Sequence, residues 1–378
     1  MSIQQFAASD FQAAVVRQKG GPFRIEPVNI TPPRHNEVLV RVIATGMCHT
    51  DMVARDQIYP VPHPIVLGHE GAGIVEAVGE NVTKVGKGDH VVLTFHSCGA
   101  CRPCQEGHPA YCENFNDYNF AGARPDDGSH ALCGHDQSQL HDRFFGQSSF
   151  GAYAIANDRN VVKVRKDAPL ELLGPLGCGI QTGAGTVLNA LKVGPGASFA
   201  AFGAGAVGLS AVMAAAAAGA TTIFAIDVVP SRLELARQLG ATHVVNSADE
   251  DPVEAIRGVA GKGVDFAVDS TGITSVIRSA VLALRPTGAA AIVGASKPGA
   301  MLDLDVNDLM QNVKSIRGVV EGDSVPDVFI PKLIDLYLAG RFPFDRLVKF
   351  YSFDQINEAA ADSEKGVTLK PIIRIGKV

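Results

Sequence analysis

Four cysteines lie close together in the first third of the chain. They fall within fifteen residues, separated by two, two and seven others: Cys98, Cys101, Cys104 and Cys112. Four thiolates at such spacings are typical of a closed, tetrahedral structural zinc site. Two disulfides are the alternative, because four cysteines allow three pairings, but nothing else in the sequence indicates a secreted protein. The cluster therefore predicts a zinc-binding lobe at about 95–115.

Length and charge limit the classes of protein to which the chain can belong. It has 378 residues, of which 46% are apolar and 19% charged, enough for two globular domains. A net charge of -6 offers no basic surface, so we expect neither nucleic acid nor an anionic membrane as a partner. The segment Met1–Asp10 lacks the basic and apolar regions of a signal peptide. A cytoplasmic location is expected.

An uncharged stretch from 199 to 226 is long enough to cross a bilayer, but its glycines divide it into two short strands and a helix. Uncharged strands of this kind are typical of a parallel sheet that is covered on both faces. Strands and helices then alternate, which predicts an α/β fold with a doubly wound sheet. The predicted strands are 198–202, 221–226, 243–246, 264–270, 289–294 and 315–320, and the predicted helices are 207–218, 231–239, 252–260 and 275–284. Residues 10–160, in contrast, are short alternating segments that predict a β-rich domain.

Three glycines follow the first of these strands as Gly203-x-Gly205-x-x-Gly208, and Asp227 stands at the end of the next strand. Glycines here let the backbone approach a pyrophosphate at a helix N-terminus, where N–H groups favour anions. Asp227 can accept hydrogen bonds from the adenine ribose, and its charge repels a 2′-phosphate, so the sequence favours NAD over NADP. Arg232 partly offsets that repulsion. A helix start with a solvated acid nearby is the alternative interpretation.

A second set of metal-binding residue types lies outside the cysteine cluster. Cys48, His69 and Cys178 supply two thiolates and an imidazole, which leave a tetrahedral zinc one open position for Lewis-acid catalysis. Each residue alone also fits an ordinary core position, and spacing by itself does not bring the three together. The seventh cysteine, Cys133, is interpreted as a buried or surface thiol rather than a ligand.

The motif Gly68-His69-Glu70-x-x-Gly73, the four-cysteine lobe and the dinucleotide fingerprint together resemble the zinc-dependent medium-chain alcohol dehydrogenases, almost from end to end. The resemblance implies a GroES-like, β-rich catalytic domain at 1–179, an NAD-binding Rossmann domain at 180–321 and a return to the catalytic domain at 322–378. It implies two zinc ions per chain, one catalytic and one structural, with NAD as the cofactor. It also implies a small alcohol or aldehyde as substrate and a homo-oligomer, either a dimer or a tetramer.

The same resemblance implies a role for each site residue. Catalytic zinc would be bound by Cys48, His69 and Cys178, with Glu70 as a further member of the metal set beside the ion. Asp51 would orient His69, and the Thr50 hydroxyl would touch the substrate alcohol and carry its proton. Residues implied to contact the cofactor are His49, Thr182, Val207, Arg232 and Arg374, together with the fingerprint. Where some members have a histidine that ends the proton relay, this chain has Val53, so the proton would leave through the ribose hydroxyl and water, or through another base.

Within the family, the stretches 45–51, 144–150, 173–183 and 342–345 look most like the aryl-alcohol (benzyl-alcohol) dehydrogenases. This narrower resemblance implies reversible oxidation of primary aromatic alcohols to aldehydes, by hydride transfer from a zinc-bound alkoxide to NAD. Thr94 stands where many relatives have a bulky aromatic residue, which would leave space for a substrate ring beside Phe144 or Phe145. An ordinary core role for these phenylalanines is an equal alternative.

Other functions stay open from the sequence. Allylic terpenoid alcohols such as geraniol are also planar and apolar near the carbinol, and glutathione-dependent formaldehyde oxidation is a third possibility. A function of another class is a zinc-lobe interaction module joined to a nucleotide-sensing Rossmann domain. The net negative charge and the second metal set weigh against that last interpretation.

Overall fold

A computed structural model describes residues 11–377. The expectation that Met1–Asp10 contains no signal peptide therefore lies outside the described residues. Within the described chain, two compact units are distinguished. Unit 1 extends to Cys178 and includes Val325–Asp335 and the residues from Asp345 on, whereas unit 2 comprises Gly179–Ser324 and Leu336–Phe344. The boundary predicted at 321/322 differs from this division, because a second segment after it also packs with unit 2.

The first half of unit 1 consists mainly of short strands. The strands are β1 (Phe11–Val16), β2 (Phe23–Ile30), β3 (Glu37–Gly46), β4 (Ile65–Val66), β5 (Glu70–Val78), β6 (His90–Leu93), β7 (Leu132–Gly134), β8 (Tyr153–Asn157) and β9 (Val161–Val164). Three short helices interrupt them: α1 (His49–Arg55), α2 (Arg102–Gln105) and α3 (Phe115–Asn119). The β-rich texture predicted for this half of the chain is confirmed.

Strands and helices alternate through most of unit 2. Its elements are α4 (Gly179–Gly185), a π-helical turn (Thr186–Ala190), β10 (Ser198–Phe202), α5 (Ala206–Ala217), β11 (Thr222–Asp227), α6 (Pro230–Gln238), β12 (His243–Asn246), α7 (Pro252–Ala260), β13 (Val264–Asp269), α8 (Thr274–Leu282), β14 (Leu284–Ile292), α9 (Val306–Gln311) and β15 (Ser315–Gly318). The remaining elements are α10 (Pro326–Leu338), β16 (Val348–Ser352), α11 (Ile356–Glu364) and β17 (Lys370–Arg374).

The six strands of unit 2 form one parallel sheet in the order β12-β11-β10-β13-β14-β15. Successive strands are added first on one side of β10 and then on the other, as in a doubly wound fold. The predicted doubly wound sheet is therefore confirmed. Several predicted boundaries are wrong by one or two residues, and the largest error is at β14, which begins at Leu284 rather than at 289. Arg285, Pro286 and Thr287 are exposed and Thr287 has a positive φ of 68°, so their sequence is that of a turn.

Unit 1 contains two sheets whose strands are far apart in sequence. One has the order β4-β1-β2-β7, and the other has the order β16-β17-β3-β5-β6-β9, with β8 also paired to β3. In the second sheet Gly46, at the end of β3, is opposite both Glu70 of β5 and Ile372 of β17. The register therefore brings the starts of β5 and β17 together at one end of β3, two residues before Cys48.

No helix in residues 11–377 combines the length and the apolar character needed to span a bilayer. The uncharged stretch from 199 to 226 is instead divided among β10, α5 and β11. The main-chain hydrogen bonds of both strands are made within the parallel sheet, which is the structure that its glycines and alternation predicted.

Candidate metal centres and dinucleotide site

Four side chains of unit 1 offer metal-ligand atoms within 4.8 Å of one another: Cys48, His69, Glu70 and Cys178. Cys48 stands at the N-cap of α1, His69 immediately before β5 and Glu70 at its first residue. Cys178 follows a tight 3-10 turn, Gly174–Gly177. The fold thus brings together the three ligands that the resemblance implied, with Glu70 beside them.

Glycines allow the turn before Cys178 to approach the sheet closely. A Cβ atom on Gly174 would lie 2.2 Å from the carbonyl oxygen of Glu70, and one on Gly177 would lie 2.1 Å from that of Leu93. Neither distance is tolerated by any side chain, so both positions require glycine. The sequence signal for this part of the site is the pair of glycines rather than the cysteine that follows them.

One buried carboxylate holds two ligand-bearing segments together. Asp51 is fully buried, and it accepts hydrogen bonds from the backbone N–H of Cys48 at 2.9 Å, the backbone N–H of Gly68 at 3.1 Å and Nδ1 of His69 at 3.0 Å. A carboxylate bonded to Nδ1 fixes the histidine tautomer and leaves Nε2 as the ring atom for a metal. Within the described residues, that Nε2 is buried and has no hydrogen-bond partner.

The donor set fits a zinc ion on chemical grounds. A buried imidazole nitrogen without a partner is costly unless a ligand satisfies it, and here two thiols lie near it. The thiol of Cys178 holds the pKa of the Cys48 thiol well below its usual range, against the effect of burial, with further help from Lys370 and His69. A low thiol pKa favours the thiolate, which is the form that binds zinc.

Lys370 is a member of this site that the sequence did not reveal. Its Nζ donates to Oε1 of Glu70 at 2.8 Å, to Oε2 at 3.1 Å and to the Met47 carbonyl at 3.4 Å, and both charged side chains are buried. Burial opposes the charge of Lys370, but the Glu70 carboxylate outweighs it and raises the pKa of the ammonium group. The carboxylate lies over Gly46, where a Cβ atom would be only 2.0 Å from Oε2.

The four clustered cysteines also converge. The Sγ atoms of Cys98, Cys101, Cys104 and Cys112 lie within 4.8 Å of one another. None of the seven cysteines, all of which lie in the described residues, forms a disulfide bond, so the disulfide interpretation is wrong for this structure. Burial tends to raise the pKa of the Cys98 thiol, but the backbone N–H groups of Ala100 and Cys101 outweigh it and lower that pKa to about 6. The lobe therefore fits a tetrathiolate metal site. Among the described residues, Cys133 joins neither metal-ligand group.

Aromatic rings surround the imidazole of His69. Phe145 is stacked on it with ring centroids 4.5 Å apart, and Phe144 meets it edge-on at 5.5 Å. Phe120 contacts both phenylalanines at 5.8 and 5.2 Å, and Tyr59 contacts Phe120 at 6.1 Å. Phe144 and Phe145 are buried, whereas Phe120 and Tyr59 are half-buried. The rings thus form a continuous aromatic wall from the metal-ligand histidine toward more accessible residues.

The small residue predicted beside the metal is also buried in unit 1. Thr94 follows β6, and its hydroxyl donates a 2.7 Å hydrogen bond to the carbonyl of Gly177. This bond joins the end of β6 to the turn that carries Cys178. Thr94 therefore has a structural contact in addition to the pocket role that its small size suggested.

The fingerprint glycines of unit 2 serve two different purposes. Gly203 has a positive φ of 97°, and a Cβ atom on Gly208 would lie 1.8 Å from the Gly203 carbonyl, so both are needed for the turn itself. A Cβ atom on Gly205, in contrast, would meet no atom within 4 Å. Gly205 caps α5, so its open side is at the helix N-terminus, where an anion is favoured. The geometry fits a dinucleotide pyrophosphate.

Asp227 stands at the end of β11 beside this turn. Its Oδ2 accepts the Ala204 N–H at 2.7 Å, and its Oδ1 accepts the N–H groups of Val228 and Val229 at 2.8 and 2.9 Å. The carboxylate is thus fixed next to the glycine turn, and it is only half-buried. Nearby, Val207 lies in the first turn of α5 and Arg232 in the first turn of α6.

The other predicted cofactor residues are less closely grouped. Thr182 lies in α4, where its hydroxyl is 3.5 Å from Oε2 of Glu321. His49 is exposed at the first turn of α1, and the Thr50 hydroxyl is 3.7 Å from Sγ of Cys48. Arg374 is exposed in unit 1, where it bonds Glu171 at 2.9 and 3.0 Å and lies 3.8 Å from the ring centre of Phe350. Their roles toward a cofactor or substrate remain predictions.

Two protein-family profiles match the chain. The family described as "Alcohol dehydrogenase GroES-like domain" matches residues 34–166, and the family described as "Zinc-binding dehydrogenase" matches residues 206–338. The first match lies in unit 1 and contains His69 and the four-cysteine lobe. The second begins at the first residue of α5, within the fingerprint, and extends through α10.

Three individual proteins are similar over nearly the whole chain. Geraniol dehydrogenase from Castellaniella defragrans is 49% identical over 365 residues, which are 96% of this chain and 97% of the relative. An alcohol dehydrogenase zinc-binding domain protein from Burkholderia ambifaria has a solved structure with 60% identity, a TM-score of 0.96 and coverage of 97% and 99% of the two chains. Benzyl alcohol dehydrogenase from Acinetobacter calcoaceticus has one with 56% identity, a TM-score of 0.94 and coverage of 97% and 100%.

Proposed function

Since the chain belongs to the zinc-binding, medium-chain alcohol dehydrogenase family, we propose that it oxidises primary benzyl-type alcohols to aldehydes with NAD, and that the reaction is reversible. Zinc-dependent alcohol dehydrogenase activity follows from membership of this family. That membership also excludes the zinc-lobe interaction module as the main function.

The aromatic wall next to His69 is the observation that carries the substrate proposal. Phe144 and Phe145 contact the imidazole directly, and Phe120 and Tyr59 extend the wall. A planar aromatic substrate held beside the metal ligand would bury its faces and edges against these rings. The small side chain of Thr94 is consistent with space for such a ring. Similarity to a benzyl alcohol dehydrogenase along almost the whole chain supports the same class.

Different residues of the chain would bind the metal, orient a metal ligand and transfer the substrate proton. Cys48, His69 and Cys178 would hold the catalytic zinc, which when bound supplies Lewis acidity that lowers the pKa of an alcohol hydroxyl. Asp51 keeps the proton of His69 on Nδ1, so that Nε2 stays available. The Thr50 hydroxyl would take the substrate proton and pass it on. Because Val53 is apolar, that proton would leave through the ribose hydroxyl and water, or through another base.

Geraniol-type allylic alcohols are the second candidate substrate class. The similarity to geraniol dehydrogenase, at 49% identity, favours them, and their apolar allylic group would also bury against the aromatic wall. Glutathione-dependent formaldehyde oxidation is the third and would require cationic side chains at the substrate entrance. A substrate panel that includes S-hydroxymethylglutathione separates all three classes.

Replacing Thr94 by tryptophan should reverse the substrate preference. With NAD, the unsubstituted enzyme is expected to show higher kcat/KM for benzyl alcohol and cinnamyl alcohol than for ethanol. Burial of the ring adds several kcal/mol at roughly 25 cal/mol per Å², and kcat/KM ratios report differential transition-state binding. Thr94→Trp fills the space and should lower kcat/KM for benzyl alcohol far more than for ethanol.

Thr94→Val is the matched control, because it removes the hydrogen bond to Gly177 without adding bulk. It should retain the preference for aromatic alcohols and the zinc content. If the unsubstituted enzyme prefers ethanol, or if Thr94→Trp weakens every alcohol alike, the aromatic-substrate proposal is wrong. A clear preference for geraniol over benzyl alcohol would favour the second candidate.

For the cofactor, we propose NAD, bound at the fingerprint with Asp227 facing the adenine ribose. A 2′-phosphate near this carboxylate would meet an unfavourable charge, about 1–4 kcal/mol at 4 Å. Asp227→Asn keeps one acceptor oxygen and removes the charge. This variant should lower the ratio of kcat/KM with NAD to kcat/KM with NADP by about tenfold or more. Equal use of both cofactors by the unsubstituted enzyme would contradict the assignment.

We further propose a homo-oligomer in the cytoplasm. At one edge of the unit 2 sheet lies β15, and the chain before it exposes several large apolar side chains: Met301, Val306, Met310 and Val313. Exposed strand edges and apolar patches are typical of surfaces that another chain covers. The absence of disulfide bonds among the seven cysteines, all within the described residues, favours a reducing compartment. Sedimentation of the protein in solution and cell fractionation test the two proposals separately.

A further inference from the structure

Gln147 is fully buried and makes three hydrogen bonds to the backbone around the proposed metal site. Its Nε2 donates to the carbonyl of His69 at 2.9 Å and to the carbonyl of Thr94 at 3.1 Å. Its Oε1 accepts the N–H of Gly71 at 3.1 Å. One side chain therefore joins the segment that contains a metal ligand to the segment that contains the predicted pocket residue.

The orientation of this amide follows from its partners. His69 and Thr94 offer carbonyl oxygens, which only accept, and Gly71 offers an N–H, which only donates, so a rotated amide would lose all three bonds. The approach also depends on Gly71, because a Cβ atom there would lie 3.2 Å from Oε1 and 2.8 Å from the side chain of Ser149. The contact is thus specific to an amide at 147 and a glycine at 71.

Gln147 belongs to a loop with an unusual backbone. Positive φ angles occur at Arg143, Phe145 and Ser148, at 69°, 51° and 53°, in addition to Gly146. Left-handed conformations at residues other than glycine are unfavourable, and they persist where the surroundings hold them. The loop 143–148 is held at its ends, where Arg143 donates to the Ile155 carbonyl and the Ser148 hydroxyl donates to the Val66 carbonyl at 2.6 Å.

This strained loop touches His69 in two independent ways. Phe145 is stacked on the imidazole, and Gln147 binds the backbone carbonyl of the same residue. Asp51 binds the ring at Nδ1. The ring face, the ring nitrogen and the main chain of His69 are therefore each constrained by a different buried group. The direction in which Nε2 points is thus set by the protein and does not depend on a bound metal.

We propose that Gln147 is a positioning residue for the catalytic metal, acting through the backbone of His69 and not by contact with metal or substrate. The inference depends on the proposed function in one respect, namely that Cys48, His69 and Cys178 bind the metal. Groups that orient metal ligands typically change metal affinity or activity by 10- to 100-fold when they are replaced. Gln147 also couples that ligand to Thr94, so the same side chain would influence the pocket.

Gln147→Glu isolates the two donated bonds. Glutamate retains an acceptor for the Gly71 N–H but offers no N–H to the carbonyls of His69 and Thr94. Gln147→Met, which is similar in size and lacks the amide altogether, is the second variant should the first not fold. Ser148→Ala is the matched control, because it removes hydrogen bonds from the same loop and none from His69.

The readout is cobalt bound in place of zinc, because its visible absorption reports the ligand geometry independently of turnover. In Gln147→Glu and Gln147→Met we expect shifted cobalt absorption bands. We also expect a 10- to 100-fold lower affinity for the metal at this site, measured by competition with a chelator. Metal in the four-cysteine lobe should be unaffected. Ser148→Ala should retain the unsubstituted spectrum and metal affinity.

The two possible failures are distinguishable. Unsubstituted protein that binds no cobalt at Cys48, His69 and Cys178 would overturn the proposed metal site itself. Suppose instead that the unsubstituted protein binds cobalt and oxidises alcohols, and that both Gln147 variants have the same spectrum and metal affinity as it has. That result would overturn only the positioning role. Equal changes in Ser148→Ala would do the same, because they would assign the effect to the loop as a whole.

Discussion

Replacing Lys370 by methionine is expected to lower the free energy of unfolding by about 3–5 kcal/mol, because it removes the cation that pairs with the buried carboxylate of Glu70. Neither side chain has more than 3% exposure, so water cannot take over the role of the ammonium group. The loss should be visible as a lower urea midpoint for the zinc-loaded protein. Activity should fall as well, since Glu70 lies among the proposed metal ligands.

The effect should depend on pH in a defined direction. Burial raises the pKa of Glu70, and Lys370 opposes that rise, so its removal raises the pKa further. A carboxyl group whose pKa is higher in the folded than in the unfolded state binds its proton more tightly when the protein is folded. The free energy of unfolding therefore decreases as the pH rises through the folded-state pKa and the proton is lost. The stability deficit of Lys370→Met should therefore be largest at alkaline pH and should shrink as the pH falls.

Two controls make this result specific. The double variant Lys370→Met with Glu70→Gln should recover most of the stability, because it removes both charges. Lys163→Met removes a cation from an exposed pair with Asp89 and should have little effect, since solvent screens such pairs. A Lys370→Met protein as stable as the unsubstituted chain at pH 8 would show that the buried pair has no role in stability.

Metal content provides the second large effect. The unsubstituted protein is expected to contain two zinc ions per chain by elemental analysis. Cys104→Ser should lose one of them and expose the segment around residues 98–112 to proteolysis, because structural zinc contributes folding free energy directly. His69→Ala should lose the other ion and the activity while it retains the lobe.

The pairing of these variants provides the control, since each should remove a different ion. One zinc per chain in fully active, unsubstituted protein would contradict the assignment of two sites. So would loss of both ions in Cys104→Ser without general unfolding. Circular dichroism of each variant separates local loss of the lobe from loss of the whole fold.

The doubly wound half of the molecule was predictable because its signals are local. The strands at 198–202 and 243–246 and the helix at 252–260 have the predicted boundaries. The first and the last of these are short apolar or periodic runs that end directly before a glycine, so their neighbours in sequence are sufficient to define them. β14 shows the largest error, because Arg285, Pro286 and Thr287 in its first part are exposed and resemble a turn.

Residues of the site were predictable from the sequence only where they belong to a motif that resembles a known family. Cys48, His69 and Cys178 were brought together by resemblance, since separations of 21 and 109 positions say nothing about distance in space. Lys370 was missed because it lies 300 positions after Glu70, and only the pairing of β17 with β3 brings them together. The position of Lys370 directly before the apolar run Pro371–Ile373 was the available signal.

Gln147 was missed for a different reason. It stands within Phe144–Phe150, a stretch that the resemblance already singled out, but attention went to the aromatic residues. An amide between glycine and two serines in a buried segment indicates hydrogen bonds to backbone, although the sequence does not identify which backbone. Arg374, implied to contact the cofactor, instead has a visible partner in Glu171, and its cofactor role stays a prediction.

The position of β17 has a consequence for how the protein is made. During synthesis, β3 and β5 leave the ribosome early, whereas β17, which lies between β16 and β3 in the same sheet, is translated some 300 residues after them. Until then the edge of β3 is uncovered and the carboxylate of Glu70 has no lysine beside it. Open strand edges favour association between nascent chains. We therefore expect chaperones and zinc supply to matter most during the interval before the last strand joins the sheet.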